Sequence, residues 1–110
     1  MKKYIVIYHA PMEAAAKMAD IPPEEAKKGM EAWFEWQKNS DVVDIGTPLA
    51  NGMEVTKGGT KPSTKQVVGY SILEANSMDE AVEKVKNHPH LAMADTCSIE
   101  VHEELPLPGM

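Results

Sequence analysis

Four histidines are the side chains of this 110-residue chain that titrate near neutral pH: His9, His88, His90 and His102. An imidazole in reach of a substrate can accept a proton and return it, so these residues are candidates for general acid–base chemistry. Asp44 is the acid that projects from the centre of a short alternating segment, where it could orient a histidine or accept its proton. We predict His9, His88 and Asp44 as the catalytic candidates.

Each candidate also has a structural interpretation. His9 could face water at the end of its strand, and His88 could contact the last carbonyls of a helix. His90 could be a turn residue, and Asp44 could be solvated at a sheet edge. A second group could bind a ligand without titrating, because aromatic and small polar side chains commonly line ligand pockets. The predicted ligand-binding residues are Trp36, Thr47, Tyr70 and His90.

Signals for a metal or a cofactor are weak. His88 and His90 lack the i, i+4 helical spacing of a two-histidine zinc pair, and no cysteine accompanies them. Cys97 is the single cysteine, which rules out an intrachain disulfide, and its setting at the beginning of a strand is typical of a small buried hydrophobe. Phosphate-loop, Rossmann and Gly-x-Ser-x-Gly motifs are absent. We therefore predict neither metal nor cofactor.

The elements that must position these residues follow from the apolar patterns. Two stretches are apolar on both faces and two alternate, which predicts two central and two edge strands. Acids after Pro23 and a capping box at Ser77–Glu80 open two helices. The predicted order is β-α-β-β-α-β, with strands at Tyr4–His9, Asp41–Thr47, Val67–Ala75 and Thr96–Glu103 and helices within 11–19, 24–39 and 77–87.

This order is that of an α+β, ferredoxin-like fold, a four-stranded antiparallel sheet with its helices on one face. Right-handed crossovers place the first and third strands in the centre. The chain is then a single domain, 1–110, with a long mobile loop at 48–66 that includes a short hairpin around 53–56, and an extended tail at 104–110. His102 is expected near one end of the sheet, and the opposite end gathers His9, Thr47, His88, His90 and Asp95.

The face of the sheet that the helices leave uncovered indicates the oligomeric state. Two helices cover one face only, yet the central strands are apolar on both, and monomers rarely expose such a patch. Packing two sheets face to face about a twofold axis would bury it, so we predict a homodimer. The alternative is that the 48–66 loop folds over this face within one chain.

Charge and composition exclude two classes of partner. The formal net charge is −6 and all eleven basic residues are lysines, so the chain offers no guanidinium for bidentate contacts to phosphate or guanine. Nucleic-acid binding is not expected. No apolar run approaches the roughly 20 residues of a membrane span, so no membrane association is expected and the cytoplasm is the predicted compartment.

Five short segments together resemble the YCII-related domain family: 3–8, 44–49, 69–72, 88–91 and 98–101. The resemblance spans nearly the whole chain and implies a dimeric α/β barrel. Some relatives are proposed to be enzymes with a His–Asp pair, and a dehalogenating lyase acting on a lactone is among them. The histidine of that pair lies on the first helix, whereas residues 11–40 contain none here. His9 or His88 with Asp44 would have to take its place.

Two main hypotheses of function remain. The first is a cofactor-independent lyase or isomerase of a small acidic or lactone metabolite, in which a histidine transfers a proton and Lys57 or Lys61 attracts a carboxylate. The alternative is a non-catalytic, small-ligand-binding or regulatory dimeric module that uses the same pocket. A purely structural interaction role would require no pocket at all.

Overall fold

The computed structural model describes residues 1–12 and 20–109. Most of the predicted first helix, 11–19, therefore lies outside the described residues. Within them the chain forms an α+β structure of six strands and three helices. In chain order these are β1 (Lys2–His9), α1 (Pro23–Asn39), β2 (Val42–Asp44), β3 (Met53–Thr56), β4 (Gly59–Pro62), β5 (Val67–Ala75), α2 (Met78–Val85), α3 (Pro89–Met93) and β6 (Ser98–Glu103).

Four of the strands form one antiparallel sheet in the order β2-β5-β1-β6. The two stretches predicted to be central, β1 and β5, are central, and the two alternating ones are at the edges. At the end of β1, His9 lies opposite Val67 of β5 and Ser98 of β6. The arrangement is compatible with the predicted ferredoxin-like fold.

The two faces of the sheet have different environments. Tyr4, Val6 and Tyr8 of β1 are fully buried on the face covered by the helices. Their core partners are Leu73, Ala75, Trp36, Ala81 and Val85. The alternate residues point to the other side and are half-buried. We call this side the open face; its apolar residues are Ile5, Ile7, Val68, Tyr70 and Ile72.

Helix α1 packs on the sheet through a narrower stripe than its apolar residues suggest. Trp36 is buried and Trp33 is half-buried, whereas Met30 and Phe34 are exposed. A buried indole needs a partner for its N–H, and the carbonyl of Lys84 accepts that hydrogen bond at 2.7 Å. The rotation of the helix therefore follows the two tryptophans.

The predicted cap at the beginning of α2 is confirmed. Ser77 Oγ accepts a hydrogen bond from the backbone N–H of Glu80 at 3.2 Å. The helix ends at Val85, and His88 adopts an extended conformation before Pro89, as expected for a residue that precedes proline. Pro89 is then the first residue of the short helix α3.

Residues 48–66 contain a β-hairpin, as predicted around 53–56. Strands β3 and β4 pair in register as a separate two-stranded sheet. Met53 is 58 % exposed and Val55 is 74 % exposed, so the hairpin does not cover the open face. The radius of gyration is 15.3 Å, against about 13 Å for a compact domain of this length. The difference is consistent with a hairpin that projects from the sheet.

No helix in 1–12 or 20–109 is both long enough and apolar enough to cross a bilayer.

Candidate functional site

The predicted gathering of histidines at the end of β1 is present in the structure. His90 Nε2 lies 2.8 Å from the backbone carbonyl oxygen of His9, to which it donates. His88 Nε2 lies 3.0 Å from the hydroxyl of Tyr8, the residue before His9. Thr47 reaches the same end through its backbone, because Pro48 forms a bridge with Gly69 of β5. One end of the sheet therefore carries three of the four histidines.

His88 is held inside the protein at both ring nitrogens. Its Nδ1 accepts the backbone N–H of His90 at 2.9 Å and so caps α3. A neutral imidazole has one N–H, so Nε2 carries it and donates to Tyr8 Oη. The side chain is 1 % exposed. His88 thus caps the helix that follows it and does not contact the carbonyls of the preceding one.

A chain of hydrogen bonds continues from His88 across the sheet. Tyr8 Oη donates to Ser71 Oγ at 2.8 Å, and Ser71 Oγ donates to the carbonyl oxygen of Ile45 at 2.6 Å. Every hydroxyl in this chain accepts one hydrogen bond and donates another, an arrangement in which hydrogen bonds reinforce one another. It links the cap of α3 to the end of β2.

Burial keeps the hydrogen-bonded side chains of His88 and Tyr8 uncharged. Removal from water, together with the smaller effect of the nearby charge of His90, lowers the pKa of His88 to about 3. Burial also raises the pKa of Tyr8 to about 12, and the hydrogen bond to Ser71 opposes that change. At neutral pH His88 is therefore a neutral imidazole with a fixed tautomer.

Two indoles exclude water from His88. Trp33 lies edge-on to the ring, with centroids 4.4 Å apart, and Trp36 lies on another side at 4.3 Å. Trp33 also packs edge-on against Tyr8 at 4.7 Å. Edge-to-face aromatic pairs contribute about 0.5–1.5 kcal/mol each beyond the area that they bury. The geometry therefore gives His88 a structural role, and its predicted catalytic role stays a prediction.

His9 has a different environment, because its ring lies on the open face. Nδ1 is 2.8 Å from the carbonyl oxygen of Lys65, so Nδ1 carries a proton and donates it there. Nε2 then bears the lone pair of the neutral ring. This atom is 3.2 Å from Glu100 Oε1 but has no aligned hydrogen bond. Among the described residues, Nε2 of His9 is the one buried side-chain nitrogen or oxygen without a hydrogen-bond partner.

Glu100 joins His9 to His102 along the open face. His102 Nε2 is 3.2 Å from Glu100 Oε1, so both rings approach the same carboxylate oxygen. The approach of His102, and then of His9, to this carboxylate lowers the pKa of Glu100. His102 was expected at the far end of the sheet, yet its ring reaches back along β6 to this carboxylate. Glu100 was missed from the sequence, where only its alternation with Ser98 and His102 marked it.

Asp44 does not join the histidines. Its Oδ1 accepts the backbone N–H of Gly46 at 2.8 Å and stabilises a turn in which Gly46 has φ = +75°. Asp44 lies opposite Ile72 of β5, whereas His9 lies opposite Val67, a separation of about 16 Å along the strand. Within the described residues no hydrogen bond or ion pair connects Asp44 to a histidine. Its catalytic role stays a prediction.

The predicted ligand-binding residues divide between the two sides of the sheet. Tyr70 is half-buried on the open face opposite Ile7, and Thr47 is exposed beside β5. His90 is buried and tied to the backbone of His9. Trp36 lies at an open groove of about 590 Å³ between α1 and α2. These residues do not form one pocket within a single chain.

Within residues 1–12 and 20–109, no group of three His, Cys, Asp or Glu side chains is arranged to hold a metal ion. Cys97 is buried, and burial raises the pKa of its thiol. It therefore lacks the lowered pKa typical of a reactive cysteine.

A scan against protein-family models and a search of curated proteins both find no match to this chain.

Proposed function

We propose that this chain is a YCII-like homodimer that uses His9 for cofactor-independent proton transfer, as a lyase or isomerase of a small acidic or lactone substrate. The observation that carries the proposal is the uncommitted Nε2 of His9, which lies beside a carboxylate on the open face. The resemblance of five segments to YCII-related domains supports the same class of chemistry.

The proposed proton transfer follows from the tautomer of His9. The carbonyl of Lys65 holds the proton on Nδ1, so Nε2 is the atom that accepts a proton from the carbon next to a substrate carbonyl. Protonation makes both nitrogens donors, and Glu100 then stabilises the imidazolium at 3.2 Å. Glu100 is 57 % exposed, so its side chain is free to move aside for a substrate. The proton returns from Nε2 to the product.

The homodimer supplies the walls that this surface lacks in a single chain. Ile5, Ile7 and Tyr70 lie on the open face and are only half-buried. A second sheet packed against them would remove this apolar patch from water and enclose the ring of His9. A C2 axis through the open face repeats the same contacts on both copies.

A second candidate is a non-catalytic ligand-binding dimer. Two observations favour it. Both nitrogens of His88 have internal partners, so that histidine has no nitrogen free for a proton-transfer duty. The groove between α1 and α2 has a volume suited to a small molecule, and Trp36 and Lys84 line it. In this case a ligand would bind on the helical side and His9 would matter little.

Exchange of a substrate C–H for deuterium tests the proposed proton transfer directly. The test does not require the product of the reaction to be known. Small carboxylic acids and lactones are incubated with the protein in D₂O, and deuterium at the carbon next to the carbonyl is followed by NMR. We expect His9→Asn to slow the exchange by about 10²–10⁴-fold, the usual contribution of a general base. Asparagine keeps an N–H for the carbonyl of Lys65 but has no basic nitrogen.

His102→Asn is the matched control, because His102 contacts the same carboxylate but is more exposed. It should retain most of the exchange activity. Equal activity in wild type and His9→Asn would refute His9 as the base. Binding that Trp36→Phe weakens, in the absence of exchange by any variant, would favour the ligand-binding dimer.

A further inference from the structure

The β3–β4 hairpin has one apolar and one polar face. Met53 pairs with Pro62 and Val55 pairs with Thr60, so these four residues share a face. The opposite face carries Glu54 and Lys61, whose charged groups are 3.5 Å apart. We call this hairpin the ribbon, and its two faces the apolar and the polar face.

The ribbon has an apolar face but no cover for it within the described chain. Met53 and Val55 are 58 % and 74 % exposed. A two-stranded hairpin is marginally stable in water on its own and normally packs against another element. Alternation with a polar face is the pattern of a strand pair that lies on an apolar surface. The ribbon therefore has the features of an arm that packs on another surface.

The distribution of charged residues indicates the surface on which the ribbon packs. Residues 48–66 contain three lysines and one glutamate, a net charge of +2 in a chain of −6, so the other residues carry −8. Residues 98–110 contain three glutamates and no lysine. Strand β6 and its tail are therefore complementary in charge to the ribbon, and β6 borders the apolar open face.

We infer that the ribbon of one copy packs its apolar face on the open face of a second copy and brings Lys57, at the ribbon turn, beside the Glu100 of that copy. The inference rests on the homodimer of the proposed function and deepens it, because the His9 site then includes a lysine from the other chain. Lys57 supplies the positive charge that attracts the carboxylate of an acidic substrate.

The dimensions of the ribbon permit this contact. The four steps from Met53 to Lys57 span about 13 Å at 3.3 Å per residue, and four strands 4.8 Å apart are about 14 Å across. An arm of this length that runs beside the packed sheets, across the end of the open face where His9 lies, places its turn at the edge strand β6. In the described chain the only ion pair of the ribbon is Glu54–Lys61, and Lys57 takes part in none.

Disulfide trapping tests the contact directly. In the double variant Lys57→Cys/Glu100→Cys both sites are exposed, and mild oxidation should give a covalent dimer at twice the 12.1 kDa of one chain. Lys57→Cys/Asp44→Cys is the control, because Asp44 is exposed on the opposite edge strand. A disulfide within one chain, or equal dimer yields from both variants, would overturn the inference.

A second measurement does not depend on new cysteines. Val55→Glu places a charge on the apolar face of the ribbon, and Thr56→Glu places the same charge on the polar face one residue away. Val55→Glu removes a buried apolar side chain and places a charge in the contact, so it should raise the Kd of the dimer by tenfold or more. Thr56→Glu should change it by less than about twofold. Equal Kd values by analytical ultracentrifugation would refute the role of the apolar face.

The two proposals fail in distinguishable ways. If wild type sediments as a monomer, the homodimer itself is refuted, and this inference with it. If Ile7→Glu dissociates the dimer while Val55→Glu does not, and no covalent dimer forms, the sheet-face dimer stands and only the ribbon contact is wrong. If deuterium exchange requires His9 but is indifferent to Lys57→Ala, proton transfer stands and the lysine contribution is refuted.

Discussion

The neutral state of His88 predicts a specific loss of stability in mild acid. The ring is buried with a pKa lowered to about 3, whereas in the unfolded chain a histidine has a pKa of about 6.5. The unfolded state therefore binds a proton more readily, and a fall in pH favours unfolding. The contribution of neutral His88 to the free energy of unfolding is fully present above pH 6.5 and is lost progressively as the pH falls from 6.5 towards 3.

The magnitude follows from the interval between the two pKa values. At pH 5 the solution is about 1.5 units below the unfolded pKa and still well above the folded one. At about 1.36 kcal/mol per unit, the free energy of unfolding should decrease by about 2 kcal/mol between pH 7 and pH 5 because of this residue alone. Protonated His88 would also place a new N–H against the backbone N–H of His90.

Urea unfolding at pH 7 and pH 5 measures the effect. Trp33 and Trp36 both contact His88, so tryptophan fluorescence reports on its surroundings. His88→Asn is the control, because asparagine is a good N-cap for α3 and does not titrate. This variant should be less stable than wild type at pH 7 but lose about 2 kcal/mol less on the change to pH 5. The same loss in both proteins would refute the assignment of a buried neutral imidazole.

Three further predictions concern stability and are measured by urea unfolding at pH 7. Tyr8→Phe should cost about 1–3 kcal/mol, because it leaves a buried imidazole N–H without an acceptor, and Tyr4→Phe should cost less, since the Tyr4 hydroxyl makes one long contact of 3.4 Å. Gly46→Ala should cost several kcal/mol or prevent folding, because a Cβ there would lie 1.8 Å from the carbonyl oxygen of Tyr70. Gly29→Ala should instead stabilise the protein by about 1 kcal/mol, because Gly29 lies inside an exposed helix and no atom is near a new Cβ. A loss of stability in Gly29→Ala, or unchanged stability in Gly46→Ala, would contradict these expectations.

The order of the strands could be predicted because their patterns differ. Strands β1 and β5 are apolar at successive positions, as expected for strands with both faces out of water, and β6 alternates, as expected at an edge. The capping box at Ser77 was equally clear, because its hydrogen bond is local. Short-range chemistry and simple periodicity were sufficient for these features.

The details of the site could not be predicted, because they depend on contacts between distant residues. The importance of Glu100 comes from a ring on the neighbouring strand, which alternation along β6 does not reveal. The hydrogen-bond partner of His88 Nε2 is Tyr8, 80 positions earlier in the chain. Met30 and Phe34 are apolar residues of α1 but are exposed, because the side of the helix that packs is the one on which the Trp36 N–H finds the carbonyl of Lys84.

Consecutive residues of β1 determine which histidine remains available for chemistry. Tyr8 points to the helical face, where it fixes a nitrogen of His88 in a dry environment. His9 points to the open face, where only one of its nitrogens is fixed. Because side chains alternate along a strand, a shift of β1 by one residue would exchange these environments. Under the proposed function, the open face is therefore the surface on which proton transfer is expected, and a second copy of the chain encloses it.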